Sequence, residues 1–275
     1  MLESSVVLCG IFCVLENIRG VAFIKFTINV IGVSRVYLVE VFGMVNITNR
    51  LVDKKINNIR FFLNYPEIEV ETQSEEVEKF TSFVNEFIKN DVSIFEEVVI
   101  SSLGEELIVG NINVISEFQR AFNKNNIISI PVEFSQIIGL TDISHISSYN
   151  YDFNNMEKIT LDTLFKEEVD FERIIQNYIM EEIYEILEKY RGYVGYDIYE
   201  LISESIYICE DPVFYFNDRN LVICISSFEL TSKVCNLIEF SICFKKIKNI
   251  LSDYALQNIV SYWWNIGLKY SFMPI

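Results

Sequence analysis

The chain has one histidine, His145, and few bases: 22 lysines and arginines stand against 39 aspartates and glutamates, a formal charge of −17 over 275 residues. A single imidazole excludes multi-histidine metal centres. A surface this acidic repels phosphate backbones and anionic lipid, so nucleic acid and membranes are not expected as partners, and basic proteins or amines are the ones attracted. The signatures of common chemistry are missing too: there is no Gly-x-Ser-x-Gly elbow, no Gly-x-x-x-x-Gly-Lys loop, no Gly-x-Gly-x-x-Gly fingerprint and no His-Glu-x-x-His pair. Cys9, Cys13, Cys209, Cys224, Cys235 and Cys243 form no Cys-x-x-Cys pair and stand in apolar runs such as Val-Ile-Cys-Ile, where cysteine serves as a small buried hydrophobe. Nothing in this inventory calls for a cofactor or a metal.

Long apolar runs are absent as well. Lys25 and Arg35 interrupt the stretches closest to the roughly 18 uncharged residues of a membrane helix. The opening "MLESSVVLCGIFCVLENIRG" carries Glu3 where a secretory signal has bases, breaks its apolar run at Gly10 and offers no Ala-x-Ala site, so it reads as a strand. With unpaired cysteines, the expected address is the cytoplasm.

What is present is apolar residue, 51% of the chain, enough for the core of one large domain or two closely joined ones. Residues 5–48, rich in Val, Ile, Phe and Tyr and punctuated at 16–20 and 32–34, predict a three-stranded meander. "IRFFLNYPEIEV" predicts a strand whose Pro66 wants an edge or a strand end. Thr72 followed by Glu75 reads as a capping box, and Val77, Phe80, Val84, Phe87, Ile88, Val92 and Phe95 then recur at helical spacing with one core side and one solvent side. Residues 111–122 and 126–138 predict paired strands joined at "NKNN". A second helix carries Phe171, Ile174, Ile175, Tyr178, Ile179, Ile183, Ile186 and Leu187 on one stripe, capped by Asp170 and ending near Gly192 and Gly195. A shorter helix in "DIYELISESI", a hairpin around 217–220, a strand in "NLIEFSICF" and a basic helical stretch "KKIKNILSDY" complete the pattern. The class is α+β: a twisted, mostly antiparallel sheet with packed helices, preceded by a β-rich N-terminal region. The expected divisions are 1–60 (β-rich region), 61–160 (first α+β module), 161–252 (second α+β module) and 253–275, an aromatic tail with Tyr262, Trp263, Trp264 and Tyr270 packed on the body.

Residues 139–166, "GLTDISHISSYNYDFNNMEKITLDTLFK", concentrate the polar side chains. His145 with Ser144, Ser147 and Asp142 is a poor triad on adjacency alone. Asp142, Asp152 and Asp162 at ten-residue steps do not follow the every-second-residue spacing of a calcium loop, and Asp152 and Asp162 read as turn or cap acids.

The order of "YPEIEVETQSEEVEKFTSFVNEFIKNDVSIFEE", "NKNNIISIPVEF", "SYNYDFNNMEKITLDTLFKEEVDFERIIQNYI", "DPVFYFNDRNLVICISSFEL" and "IEFSICFKKIKNIL" resembles the bacterial domain of unknown function 3298 with its upstream partner, number 4163. The likeness covers residues 62–252 and is most specific at 149–152, 161–166 and 214–230, the last ending in Phe228 and Glu229. Residues Gly139, Leu140 and Thr141 stand where such proteins have a Gly-Gly-Ala-His-like turn. The resemblance implies a twisted sheet with packed helices in a Gram-positive bacterium. It also implies kinship with RsiV-type anti-sigma factors that sense lysozyme and with the non-catalytic part of PdaC-like peptidoglycan deacetylases, relatives that are commonly exported or membrane-tethered. None of these makes the domain an enzyme.

The expectation is therefore a non-enzymatic binding or structural domain whose sheet-end loops contact a protein or a cell-wall-type ligand through Asp142, His145, Tyr149, Asn150 and Asp152. The alternative is an unrecognised hydrolase using carboxylates near Asp142 and Asp152. On the first reading the polar stretch 139–166 is a scaffold loop that ends in the cap of the second helix, with 139–150 as its exposed recognition surface.

Overall fold

A computed structural model describes residues 10–18, 21–30, 33–41, 45–72, 74–102, 111–139, 141–189, 212–225 and 238–260. The helix expected in "DIYELISESI" and the aromatic tail lie outside these residues, as do Cys9, Cys209 and Cys235.

Strands β1 (Gly10–Ile18), β2 (Val21–Val30) and β3 (Val33–Val41) form the predicted antiparallel meander, with Ile18 opposite Val21 and Val30 opposite Val33. A seven-stranded sheet follows: β4 (Val45–Ile56), β5 (Ile59–Val70), β6 (Ile112–Phe118), β7 (Phe122–Lys124), β8 (Ile127–Ile138), β9 (Thr141–Asp152) and β10 (Glu157–Lys158). Its order is β10-β9-β8-β6-β5-β4, with β7 alongside β8. The one parallel pair, β5 with β6, is joined across helix α1 (Glu75–Ser102), because parallel neighbours need a crossover connection. A third, antiparallel sheet holds β11 (Val213–Phe216), β12 (Asn220–Ile225) and β13 (Ile238–Cys243). Helices α2 (Leu161–Leu164), α3 (Phe171–Lys189), α4 (Phe244–Ile247) and α5 (Asp253–Asn258) accompany it, and a 3-10 turn, Lys248–Ile250, follows α4. The fold is α+β. None of the described helices is long and apolar enough to cross a membrane.

Local chemistry accounts for most of these boundaries. The hairpins β4–β5 and β7–β8 turn at Asn57 and at Asn125 and Asn126, all with positive φ, a region that asparagine visits at little cost. Helix α3 begins as predicted, the Arg173 N–H donating to the Asp170 carboxylate over 3.1 Å, and buries Ile175, Ile179 and Ile183 in one core with Phe216, Leu221 and Phe240. The segment after α2 is clipped to the chain's C-terminal side by an antiparallel bridge between Phe165 and Leu251. Ser252 caps α5 there and donates to the Thr163 carbonyl at 2.7 Å.

Pro66 sits where β5 has run past β6, which pairs only with residues 59–63. That free edge is closed from α1. The Asn85 side chain donates to the Ile68 carbonyl and accepts from the Ile68 N–H, both at 2.8 Å, taking the place of a neighbouring strand. Pro131 occupies the comparable gap on β8 where β6 gives way to β7, and its carbonyl still accepts from the Gln119 N–H at 3.1 Å.

Four expectations need correction. The α1 cap is Ser74, not Thr72: the Thr72 hydroxyl accepts from the Ser74 N–H at 3.0 Å, and the Ser74 hydroxyl lies 3.5 Å from the Val77 N–H. A boundary at residue 60 would cut a hairpin, since β4 pairs with β5 along its whole length; the polar run of β4 hid it as a strand. Helix α1 has two apolar faces rather than one: Val84, Ile88, Val92, Phe95 and Val99 are buried, and Phe87, expected among them, is 40% exposed. Finally, residues 141–150 are no loop. They belong to β9, paired residue for residue with β8 from Ile138–Thr141 to Ile127–Asp152. Layers lie on both faces of β9, so most of its polar groups find partners inside the protein, although the His145 side chain stays exposed.

Candidate functional site

Alternation along β9 sends odd-numbered side chains toward α1 and even-numbered ones toward the third sheet. On the α1 side, the His145 ring stacks on Phe134 (centroids 5.1 Å, planes 13° apart) and meets Phe95 edge-on at 5.3 Å. Burial lowers its pKa below the ordinary value, against the pull of the Asp91 carboxylate. The sign of the consequence follows. As pH falls below about 6.5, the unfolded chain takes up the proton before the folded one does, so stability is expected to drop through that interval. His145→Gln should flatten the slope in urea midpoints measured between about pH 7 and 5.5; an unchanged slope would assign it to carboxylates.

Four residues along, the buried Tyr149 hydroxyl donates to Asp91 Oδ2 of α1 over 2.9 Å, while its ring meets Phe87 edge-on. Burial first, then the Asp91 charge, pushes the Tyr149 phenol well up, so it stays a neutral donor. Tyr151, under the same two influences, is pushed up to about 12.

The other face is bound to the third sheet. Asn150, 1% exposed, donates to the Phe214 carbonyl (2.8 Å) and accepts from the Ser129 hydroxyl (2.6 Å), which in turn accepts from the Phe216 N–H at 2.9 Å. These two side chains thus satisfy the outer edge of β11. Asp152 ends the strand as a turn acid. Its Oδ1 accepts from the Asn154 N–H (2.8 Å) and side-chain amide (3.0 Å), and its Oδ2 accepts from Asn155 (2.9 Å) and Tyr254 (2.8 Å). Burial, aided by that bond, raises the Tyr254 phenol. Asp142 stands at the opposite end of β9, and its side chain lies outside the described residues. Ten residues along one strand separate the two acids by about 33 Å, so they cannot flank one scissile bond. Asp162 lies in α2. Among the described residues no group of three or more His, Cys, Asp or Glu side chains is placed to hold a metal. Cys224 is a buried thiol whose pKa burial raises, and Cys243 is half-buried; neither is in a disulfide.

Of the predicted site residues, the structure brings His145 and Tyr149 to one face, around Asp91, and sends Asn150 and Asp152 to the other. A cleft of about 180 Å³ opens where α1, β9 and β11 meet, lined by Phe87, Asp91, Ser147, Lys158 and Val213 among others. Along the other flank of α1 a shallow groove of about 580 Å³ passes Arg50, Tyr65, Pro66 and Lys89, with Arg50 held in an ion pair by Glu67 at 2.5 Å.

The feature that the sequence reading missed adjoins the cleft. Phe83, Phe87, Ile94 and Val98 are 57, 40, 57 and 57% exposed. At 100° per residue they fall within a sector of about 60°, forming one stripe beside the buried face. The signal was legible: α1 carries more large apolar residues than one face can bury, and these four repeat at i, i+4, i+11 and i+15.

No family model matches the chain, and no curated protein does. Among solved structures it is similar to a member of the DUF3298 family from Bacteroides fragilis, at 11% identity and a TM-score of 0.49, over 78% of this chain and 96% of that one. It is also similar to a DUF3298 family protein from Pseudomonas aeruginosa, at 7% identity and a TM-score of 0.47, over 76% and 93% of the respective chains.

Proposed function

We propose that the protein is a non-enzymatic binding domain that takes a partner protein on the outer face of α1 and the adjoining cleft. The observation that carries this is the exposed stripe Phe83, Phe87, Ile94 and Val98, since large apolar residues left exposed along one side of a helix mark interaction sites. The polar side chains of β9 support the same reading from the other direction. Asn150 and Asp152 are spent on internal hydrogen bonds, and the acids of the hydrolase alternative stand at opposite ends of one strand. The free thiols favour the cytoplasm as its address.

The test compares the parent with an Ile94→Ser/Val98→Ser variant as bait in native lysate, with captured proteins identified by mass spectrometry. Both positions are exposed, so stability should change by less than about 1 kcal/mol. A specific protein held by the parent and lost from the variant is the expected result. Identical captures would remove α1 as the docking face. A hydrolytic turnover abolished by Asp91→Asn, with the fold intact, would overturn the non-enzymatic part.

A further inference from the structure

The charges that border the stripe say what kind of segment fits it, an inference that rests on the docking reading above and names the partner's chemistry. Exposed Glu76, Glu86 and Glu97 line the stripe along α1, and Asp91 stands on its cleft side. On the glutamate flank Lys79 is the one base among the described residues and is already paired with Glu75 at 2.6 Å, while Lys158 lines the cleft on the Asp91 side. The face is thus an apolar ridge in a negative field on a chain of net charge −17.

Two occupants are excluded by the same charges. A second copy laid antiparallel would match Phe83 to Val98 and Phe87 to Ile94, but it brings Glu86 beside the second copy's Glu97; laid parallel, it brings Glu86 toward the second copy's Asp91. The chain's own stretches outside the described residues are no better suited, since none carries more than one lysine or arginine, and residues 190–211 hold five acids against Arg191. We infer that the outer face of α1 docks a basic amphipathic helix of another protein. Its apolar residues at three- and four-residue steps would lie along Phe83, Phe87, Ile94 and Val98, with lysines or arginines toward Glu76, Glu86, Asp91 and Glu97. The stripe runs about 22 Å, so roughly four helical turns suffice.

The probe is a fluorescent lysine-leucine peptide of about 18 residues with its leucines on one helical stripe, long enough to cover that length. Two controls accompany it: the glutamate-leucine twin, and a lysine-leucine peptide of the same composition without a stripe. With the full chain, the striped basic peptide should bind at least about tenfold tighter than either control. The Ile94→Ser/Val98→Ser variant should lose about tenfold, and added salt should weaken binding further. Equal binding of the unstriped peptide would reduce the effect to charge alone and overturn the proposal. So would tighter binding of the acidic twin, indifference to the double substitution, or a dimer in sedimentation that this substitution dissolves. The two readings fail separately. A native partner that needs the stripe while the basic peptide does not bind defeats only the assigned chemistry, whereas a native partner indifferent to the stripe defeats the docking face itself.

Discussion

Replacing Asn150 with leucine is expected to cost about 2–4 kcal/mol of stability, read from urea midpoints, although the two side chains are close in volume. The side chain is 1% exposed and bridges two sheets. Leucine removes the donor from the Phe214 carbonyl and the acceptor from the Ser129 hydroxyl, leaving two buried polar groups unpaired at about 1–3 kcal/mol each, partly relieved by the added apolar contact. Ser129→Ala should cost less, about 1–3 kcal/mol, because the orphan it leaves is chiefly the Phe216 N–H. A leucine variant as stable as the parent would mean that β11 is not anchored through this side chain.

Phe134→Ala should have the largest effect in the α1 layer, about 3–5 kcal/mol, because a ring 1% exposed is deleted from between Phe95 and His145. Phe134→Leu fills most of the space and should cost a fraction of that. A second readout checks the cause. The chain has one histidine, so one imidazole resonance follows its titration, and its pKa should rise toward the ordinary value of about 6.5 as the already partly exposed ring loses the cover of Phe134. A large loss of stability with an unmoved histidine titration would show that the Phe134 ring is not what desolvates it.

Much of the architecture was legible because it follows from local periodicity and turn chemistry. The meander of β1 to β3, the asparagine turns, the Asp170 cap and the stripe of Ile175, Ile179 and Ile183 each rest on residues close together in the chain. Such signals need only backbone preference and alternation. The errors arose where a residue's partner lies far away in sequence. β4 escapes the sequence reading because its charges and amides are answered across strands and from α1, as Arg50 is by Glu67 and Lys54 by Glu96.

By itself, the sequence determined the α+β class, the register-setting turns, the acidity of the chain and the lack of any recognised catalytic motif. Only the tertiary structure decided that the polar run Thr141–Asp152 is a strand between two layers, that Asp142 and Asp152 stand at its opposite ends, and that Phe83, Phe87, Ile94 and Val98 remain uncovered among the described residues. The reason is physical. Periodicity reports which side chains share a face, but whether a face is buried, and whether a buried polar atom is satisfied, depends on what packs against it, and those groups come from 58 to 102 residues away in Asp91 to Tyr149, Asn150 to Phe214 and Asp152 to Tyr254.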